Sequence, residues 1–221
     1  METELNFLTL NITNRLTDVW SKYENNEYSK FGPLMPEKSI KNVVTFLSLN
    51  PSLPPQFLKS AKEDGMKATS YPFTDFRNKE KPYPFFKKFY QIGNEINEPW
   101  TSIDLLYIRD SDQENILKMY KNMEARNFIY EQVQITLDLL VEMEPKLVIV
   151  SNSLVENILL NYSFNENAKL DENNIYRFKN IPFIMNESKF IGSRQHWNST
   201  SKEHLKEKMY NEIRRVIQIL N

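Results

Sequence analysis

The chain has 221 residues and a formal net charge of −1, and 40% of its residues are hydrophobic and 13% aromatic. This composition can bury a sizeable core, so it excludes a disordered or uniformly basic chain and predicts a single domain over residues 1–221. The absence of Cys, with only two His and four Gly, excludes disulfide frameworks, thiol chemistry and glycine-rich phosphate loops, and we expect no metal or cofactor.

The first 40 residues are predicted to form a helix and a loop that pack on the core. Apolar residues recur at steps of three and four from Leu5 to Trp20, which is the spacing of an amphipathic helix. Residues 24–40 are polar and contain two prolines and a glycine, so we expect a loop there. The apolar run Val43–Leu49 follows and predicts a buried strand at the start of the core, which extends over residues 41–221.

The middle of the chain begins with a long proline-rich segment, residues 50–84. A loop of that length in a compact domain usually has a function or carries small elements of its own, and a short helix is expected at 56–63. The pattern then predicts a helix over Phe85–Ile96 and a strand over Ile103–Ile108.

The remaining sequence alternates helical and strand patterns. The predicted elements are a helix near 112–124 opened by a capping box of Ser111 and Glu114, a helix at 128–143, a strand Leu147–Val150, a helix from Ser153, strands Ile175–Phe178 and Pro182–Met185, and a final helix opened by Thr200 and Glu203. Such alternation predicts an α/β fold with three layers, α/β/α, around a short and largely parallel central sheet.

Polar residues follow the predicted strands, where ligands collect in open α/β sheets. Asn50, Pro51 and Ser52 follow the first strand, and the polar segment Gly192–Asn198 precedes the final helix. Each feature has an ordinary explanation when taken alone, because Asn-Pro is a common exit from a strand and a single His is usually structural.

Two other groups of residues also have alternative interpretations. The acidic residues Asp110, Asp112 and Glu114 could bind a metal, although acids are typical of the first turn of a helix. The aromatic residues between Tyr71 and Tyr90 could stack on a ligand or form a small core beneath a long loop.

The order of these elements resembles the uracil-DNA glycosylase superfamily over about residues 40–220. Asn50-Pro51-Ser52 looks like the first motif of its mismatch-specific and single-strand-selective branches, a strand holding Trp100 and Asp104 stands in the middle, and Gly192–Asn198 occupies the place of the second motif. The chain departs from the family in three ways: Ser48 replaces a usual glycine, His-Pro-Ser is absent from the second motif, and the middle strand lacks an Asn that would read uracil.

The resemblance implies a DNA glycosylase that hydrolyses the N-glycosidic bond of a flipped uracil or modified pyrimidine and leaves an abasic site. The missing Asn favours a larger or more heavily modified pyrimidine. In this scheme Asn50 orients the water, while His196 or Arg194 donates a hydrogen bond to the departing base. An amide cannot act as a base, so Asp75 or Asp110 could assist.

The resemblance also implies contacts to the base and to DNA. The expected substrate-binding residues are Pro51, Ser52, Phe73, Phe86, Tyr107, Arg109 and Ser193, and the expected DNA-binding residues are Arg194, Gln195 and Lys202. Arg109 could instead pair with Asp110 or Asp112.

We therefore expect a monomer that binds DNA. No apolar run is long enough for a membrane span and no export signal is evident, so we expect a cytoplasmic protein that does not bind membranes. Two alternatives stay open: an inactive nucleic-acid or nucleotide-binding module on the same fold, and an unrelated α/β hydrolase acting on a small molecule. A serine hydrolase is disfavoured because no G-x-S-x-G elbow is present.

Overall fold

The structure is a computed structural model, and it describes residues 4–6, 11–51, 63, 67, 69–71, 85–110, 112–162, 164, 168–185 and 188–221. The short helix expected at 56–63 lies outside these residues except at its last position. Among the helices that are described, none is long and apolar enough to cross a membrane.

Ten short strands are present in the described part of the chain. They are β1 (Glu4–Asn6), β2 (Leu34–Pro36), β3 (Lys38–Ile40), β4 (Val44–Ser48), β5 (Thr69–Tyr71), β6 (Trp100–Asp104), β7 (Leu147–Val150), β8 (Ala168–Leu170), β9 (Tyr176–Phe178) and β10 (Ile181–Ile184). Six of them form the central sheet, in the order β6-β4-β7-β10-β9-β8. The first four of these are parallel, and the last two pairings are antiparallel.

Helices cover both faces of this sheet. They are α1 (Ile12–Lys22), α2 (Lys87–Ile96), α3 (Gln113–Lys121), α4 (Met123–Met143), α5 (Ser153–Tyr162), α6 (Ser188–Gly192), α7 (Arg194–Trp197) and α8 (Glu203–Leu220). One core cluster joins the sheet to α1, α4 and α5, and the other joins it to α2 and α8. The predicted three-layer α/β/α architecture with a largely parallel sheet is therefore confirmed.

The connections explain this layering. The chain leaves β4, passes through α2 and returns on one side as β6; it then passes through α3 and α4 to the other side of β4 as β7. Parallel crossovers are right-handed, so connections running in opposite directions place their helices on opposite faces. The reversal of direction occurs between β4 and β7, which makes this point of the sheet a favoured location for a ligand.

The prediction for residues 24–40 was incomplete, because β2 and β3 lie within the expected loop. β3 pairs with β1, β2 pairs with β5, and the Ser39 and Thr101 hydroxyls are hydrogen-bonded at 2.8 Å. These short strands bring residues 34–40 against β6, the edge strand of the central sheet.

The middle strand was predicted too late in the sequence. β6 ends at Asp104, not at Ile108. The amides of Leu105 and Leu106 still bond to the carbonyls of Ser48 and Leu49, each at 2.8 Å, but the amide of Tyr107 bonds to the Gln132 side chain at 2.9 Å. The apolar run thus continues into the core after the strand has ended.

Several helix starts also differ from the prediction. Asp112, not Ser111, caps α3 by accepting from the amide of Glu114 at 2.9 Å. Asn122 ends α3 and caps α4 through the amides of Glu124 and Ala125, so α4 begins at 123 instead of 128. Thr200 lies in a 3-10 turn that leads into α8 and forms no capping box with Glu203.

Asparagine occupies left-handed backbone positions in this glycine-poor chain. Among the residues that the structure describes, five asparagines have φ values between 54° and 69°: Asn11, Asn42, Asn97, Asn174 and Asn180. Asn97 ends α2, and Asn174 lies in the turn before β9. Asn tolerates this conformation better than most residues because its side chain can bond locally.

Candidate active site at the carboxyl edge of the sheet

Three of the four parallel strands bring polar residues to one edge of the sheet. Asn50 and Pro51 follow β4, Asp104 ends β6, and Ser151 and Asn152 follow β7. Because parallel strands share one carboxyl edge, these residues lie together at the reversal point of the topology.

The Asn50 side chain is fixed by the main chain that follows β6. Its amide nitrogen donates to the carbonyl of Asp110 at 2.7 Å and to that of Ile108 at 3.0 Å, and it lies 3.2 Å from the carbonyl of Pro51. Carbonyl acceptors on this end of the amide identify it as the nitrogen, so the other end is the oxygen, Oδ1. The residue is half-buried, and among the described residues no hydrogen-bond donor to Oδ1 is found.

A group of polar side chains lies on one face of the sheet, at its carboxyl edge. Phe46 and Trp100 pack edge to face on this side with ring centroids 5.5 Å apart. Side chains on one face recur at every second residue of a strand, so Ser48, two residues after Phe46, and Asp104, four residues after Trp100, lie on this same face as register partners. The Ser48 hydroxyl lies 3.3 Å from that of Ser151. We call Ser48, Asp104 and Ser151 the carboxyl-edge cluster.

Asp104 is the titratable member of this cluster. Removal of its carboxyl group from water raises its pKa from 3.8 to about 7. Near neutral pH the group can therefore either accept or donate a proton, which is a typical property of an acid–base residue. Sequence reasoning noted Asp104 only as part of the middle strand and assigned it no role, although an acid at the end of an otherwise uncharged strand, Trp-Thr-Ser-Ile-Asp, was a usable signal.

The segment Gly192–Asn198 is mostly helical and is not the expected polar loop. Gly192 ends α6 and packs on the edge after β7, where an added Cβ would lie 3.1 Å from the carbonyl oxygen of Ser151. The Ser193 hydroxyl accepts from the amide of His196 at 3.2 Å and so caps α7. Ser193 and His196 are half-buried, and no described hydrogen bond joins His196 to Asn50.

Two of the expected base-contacting residues belong to the core. Tyr107 is 2% exposed, and its hydroxyl is hydrogen-bonded to Thr136 at 3.1 Å. Burial raises the pKa of Tyr107 to about 12. Arg109 is 6% exposed and donates to the carbonyl of Pro33 at 3.3 Å. β6 ends three residues before Tyr107, so both side chains follow the strand into the core, and this burial gives no support to the expectation that they contact a base.

Asp110 does not present a free carboxylate either. One of its oxygens accepts from the amide of Asp112 at 2.8 Å, and the other lies 3.3 Å from the Asn115 amide nitrogen. The carboxylate thus stabilises the turn that leads into α3. No group of three or more potential metal ligands is found among the described residues.

The other expected site residues are placed as follows. Phe86 is half-buried at the start of α2 and packs edge to face against Phe85 with centroids 5.1 Å apart. Pro51 is buried, and Lys202 is half-buried at the last position of the 3-10 turn before α8. Arg194 and Gln195 lie in α7, but their side chains are outside the described part, as are Ser52, Phe73 and Asp75 entirely.

Comparisons of the chain with family models, curated proteins and solved structures find no match.

Proposed function

We propose that the chain is a DNA glycosylase, related to the uracil-DNA glycosylase superfamily, that hydrolyses the N-glycosidic bond of a flipped uracil or modified pyrimidine. The observation that carries the proposal is the Asn50 side chain. It ends the strand next to the topological reversal, and carbonyl oxygens hold its amide nitrogen so that Oδ1 is directed to a separate partner. We propose that this partner is the attacking water.

Cleavage of the glycosidic bond develops positive charge on the sugar and negative charge on the base. A fixed amide oxygen can hold a water molecule near the sugar carbon, which lowers the entropic part of the barrier. The three main-chain contacts fix the Asn50 side chain before substrate binds, so little ordering is needed during the reaction. Asn cannot remove the proton from that water.

In this proposal Asp104 accepts the proton. Asp104 is the register partner of Ser48, and Ser48 lies two residues before Asn50. The carboxyl group of Asp104 and the amide of Asn50 therefore belong to the carboxyl ends of the neighbouring strands β6 and β4. A pKa of about 7 leaves about half of the carboxyl groups ionised at neutral pH. This role replaces the earlier expectation for Asp110, whose carboxylate is bonded within its own turn.

The departing base needs a hydrogen-bond donor as its charge develops. His196 and Arg194 are the proposed donors, because both lie on α7, directly after the close contact of Gly192 with the edge of the sheet. We further propose that the protein acts as a monomer in the cytoplasm, with Arg194, Gln195 and Lys202 contacting phosphates.

The test is direct measurement of base release. The purified protein is incubated with duplex and single-stranded DNA containing uracil, thymine mispairs or bulky modified pyrimidines, and released bases are identified by mass spectrometry. Release of a free base together with an alkali-sensitive abasic site is the expected result. Intact DNA with every substrate, at enzyme concentrations above those of the DNA, would contradict the proposal.

An inactive nucleic-acid-binding module is the second candidate function. The observation that favours it is the structural use of Asn50, whose nitrogen joins β4 to the segment after β6 irrespective of catalysis. A gel-shift measurement in the same series separates the two functions, because a module retards DNA without releasing a base. A small-molecule hydrolase would neither retard nor cleave the DNA.

A further inference from the structure

Lys88 is a half-buried lysine that the proposed hydrolysis does not use. It lies in the first turn of α2, and its Nζ donates to the carbonyl of Ile191 at 3.0 Å. The same nitrogen lies 5.0 Å from the ring centroid of Phe85 and 5.2 Å from that of Phe89. Among the described residues, the contacts found for this nitrogen are a neutral carbonyl and two aromatic rings. Three other described lysines, Lys22, Lys146 and Lys206, pair with carboxylates, as Lys146 does with Glu98 at 2.7 Å.

This environment favours a reactive amine. Burial lowers the pKa of Lys88 from 10.5 to about 8. At about pH 8, about half of the Lys88 side chains are therefore neutral, whereas well under one per cent of ordinary lysine side chains are neutral at this pH. A neutral amine is the form that attacks carbonyl carbons.

The position of Lys88 connects it to the candidate active site. Its acceptor, Ile191, immediately precedes Gly192, and Gly192 contacts the main chain of Ser151 and Asn152 at the carboxyl edge. Phe85, which lies beside the amine, is 41% exposed, so solvent reaches this side of α2. The lysine is therefore anchored to the helix that packs on the carboxyl edge, and it lies on a side of α2 that solvent reaches.

We propose that Lys88 is the nucleophile of a lyase step in which its amine attacks the aldehyde carbon of an abasic deoxyribose in DNA. This inference rests on the proposed glycosylase function, which would produce such a sugar in the same site. It adds a second reaction, strand cleavage, to base removal.

The step balances without a further reactant. The neutral Nζ forms a bond to C1′ of the open-chain sugar, and uptake of one proton from solvent with loss of one water molecule gives a protonated imine. Solvent water then takes a proton from C2′, the electron pair forms the C2′–C3′ double bond, and the C3′–O bond breaks with the 3′ phosphate as leaving group. Hydrolysis of the imine consumes one water molecule and restores Lys88.

The experiment uses a duplex with a preformed abasic site, so it does not depend on base release. The full-length protein is mixed with this duplex and sodium borohydride, which reduces an imine to a stable amine. A covalent protein–DNA adduct is expected on a denaturing gel, and peptide mass mapping should place it on Lys88. A duplex with a tetrahydrofuran site, which has no aldehyde, is expected to give no adduct.

The matched variants are Lys88→Arg and Lys87→Arg. Arginine keeps the positive charge and can donate to Ile191, but it is not a nucleophile, so the Lys88→Arg adduct should fall about tenfold or more. The exposed Lys87 is the control, and its substitution should change the yield by less than about twofold. If Lys88→Arg unfolds, as judged by circular dichroism, Lys88→Gln is used in its place.

Three outcomes would overturn the inference: no adduct with the parent protein, an unchanged yield in the folded Lys88 variant, or mass mapping to another amine. Base release with no adduct would count against the lyase step and leave the glycosylase proposal standing. An adduct on Lys88 without release of any base would support the lyase step and contradict the glycosylase proposal.

Discussion

The side-chain amide of Asn50 donates a 2.7 Å hydrogen bond to the main-chain carbonyl of Asp110, which lies 60 residues further along the chain. With the bond to Ile108, this contact fastens the segment after β6 to the end of β4. The same side chain therefore has a structural task and a proposed chemical one. Substitutions can separate these tasks because they depend on opposite ends of the amide.

Replacement of Asn50 by Ala should lower both stability and base release. The substitution removes two hydrogen bonds and leaves the carbonyls of Ile108 and Asp110 without this donor, which is expected to lower the free energy of unfolding by about 1–3 kcal/mol. Base release should fall about a hundredfold or more if Oδ1 holds the water. Urea titration and single-turnover kinetics measure the two effects, and unchanged turnover in a folded Asn50→Ala protein would remove the catalytic assignment.

Asn50→Asp provides the sharper comparison. Aspartate is nearly the same size but presents only acceptors to the carbonyls of Ile108 and Asp110, so repulsion replaces attraction. This variant should be less stable at pH 8 than Asn50→Ala. Equal or greater stability of Asn50→Asp would show that the amide nitrogen does not hold this segment.

Asp104 should make the protein less stable as the pH rises. Its pKa is raised in the folded state to about 7, so the folded protein holds this proton at pH values where the unfolded chain releases it. The stability contributed by this residue is greatest below about pH 4, decreases as the pH rises to about 7 and then stays constant, with a total loss on the order of 4 kcal/mol. Asp104→Asn should therefore gain stability over the parent at pH 8 and not at pH 4, as measured by urea unfolding.

The same substitution tests the proposed proton acceptor. Base release by the parent protein should increase as the pH rises through about 7, because the ionised carboxylate is the active form. The Asp104→Asn variant should be slower and lack this rise. A parallel pH profile in both proteins would exclude Asp104 as the acceptor, whatever its effect on stability.

Tyr107→Phe should affect stability alone. The substitution removes a buried hydroxyl that contacts Thr136 at 3.1 Å and leaves the ring in place. A loss of about 1 kcal/mol in the free energy of unfolding is expected, with unchanged base preference. A changed preference among modified pyrimidines would mean that Tyr107 does contact the base.

Arg194→Ala should weaken DNA binding by the loss of one phosphate contact. The slope of log affinity against log salt concentration should decrease by about 1, equally for all DNA sequences. Binding titrations at several salt concentrations measure this slope. Lys202→Ala gives a second estimate on a residue before α8, and an identical slope in the parent and both variants would exclude these phosphate contacts.

The sequence was most informative where one interaction dominated. The run Leu147–Val150 is wholly apolar and forms a strand with all four residues buried, as predicted. The run from Ile103 onwards is equally apolar, but Tyr107 bonds to the Gln132 side chain, which no local pattern reveals. The polar segment after Gly192 contains the short helix α7, whose Trp197 bonds to Gln91 of α2, and Gly192 itself packs on the sheet edge; these are tertiary contacts that the local sequence does not reveal.

The candidate site was predictable in part for the same reason. Asn50 could be found because it directly follows a buried strand, and strand ends share one edge of a parallel sheet. The displaced end of β6 led to emphasis on Tyr107 and Arg109 in place of Asp104. Because the strand end was predicted a few residues too late, the core residue Tyr107 was placed at the edge of the sheet, where Asp104 actually lies.

The left-handed asparagines have a consequence for the unfolded chain. Glycine at the positions of Asn97, Asn174 and Asn180 would adopt the same φ without strain, but each glycine would add conformational freedom to the unfolded state worth about 0.5–1 kcal/mol. Asparagine at a positive φ is slightly strained in the folded turn, but it has fewer backbone conformations than glycine in the unfolded chain. The asparagines in these turns thus limit the conformational entropy that the chain gains on unfolding, compared with glycines at the same positions.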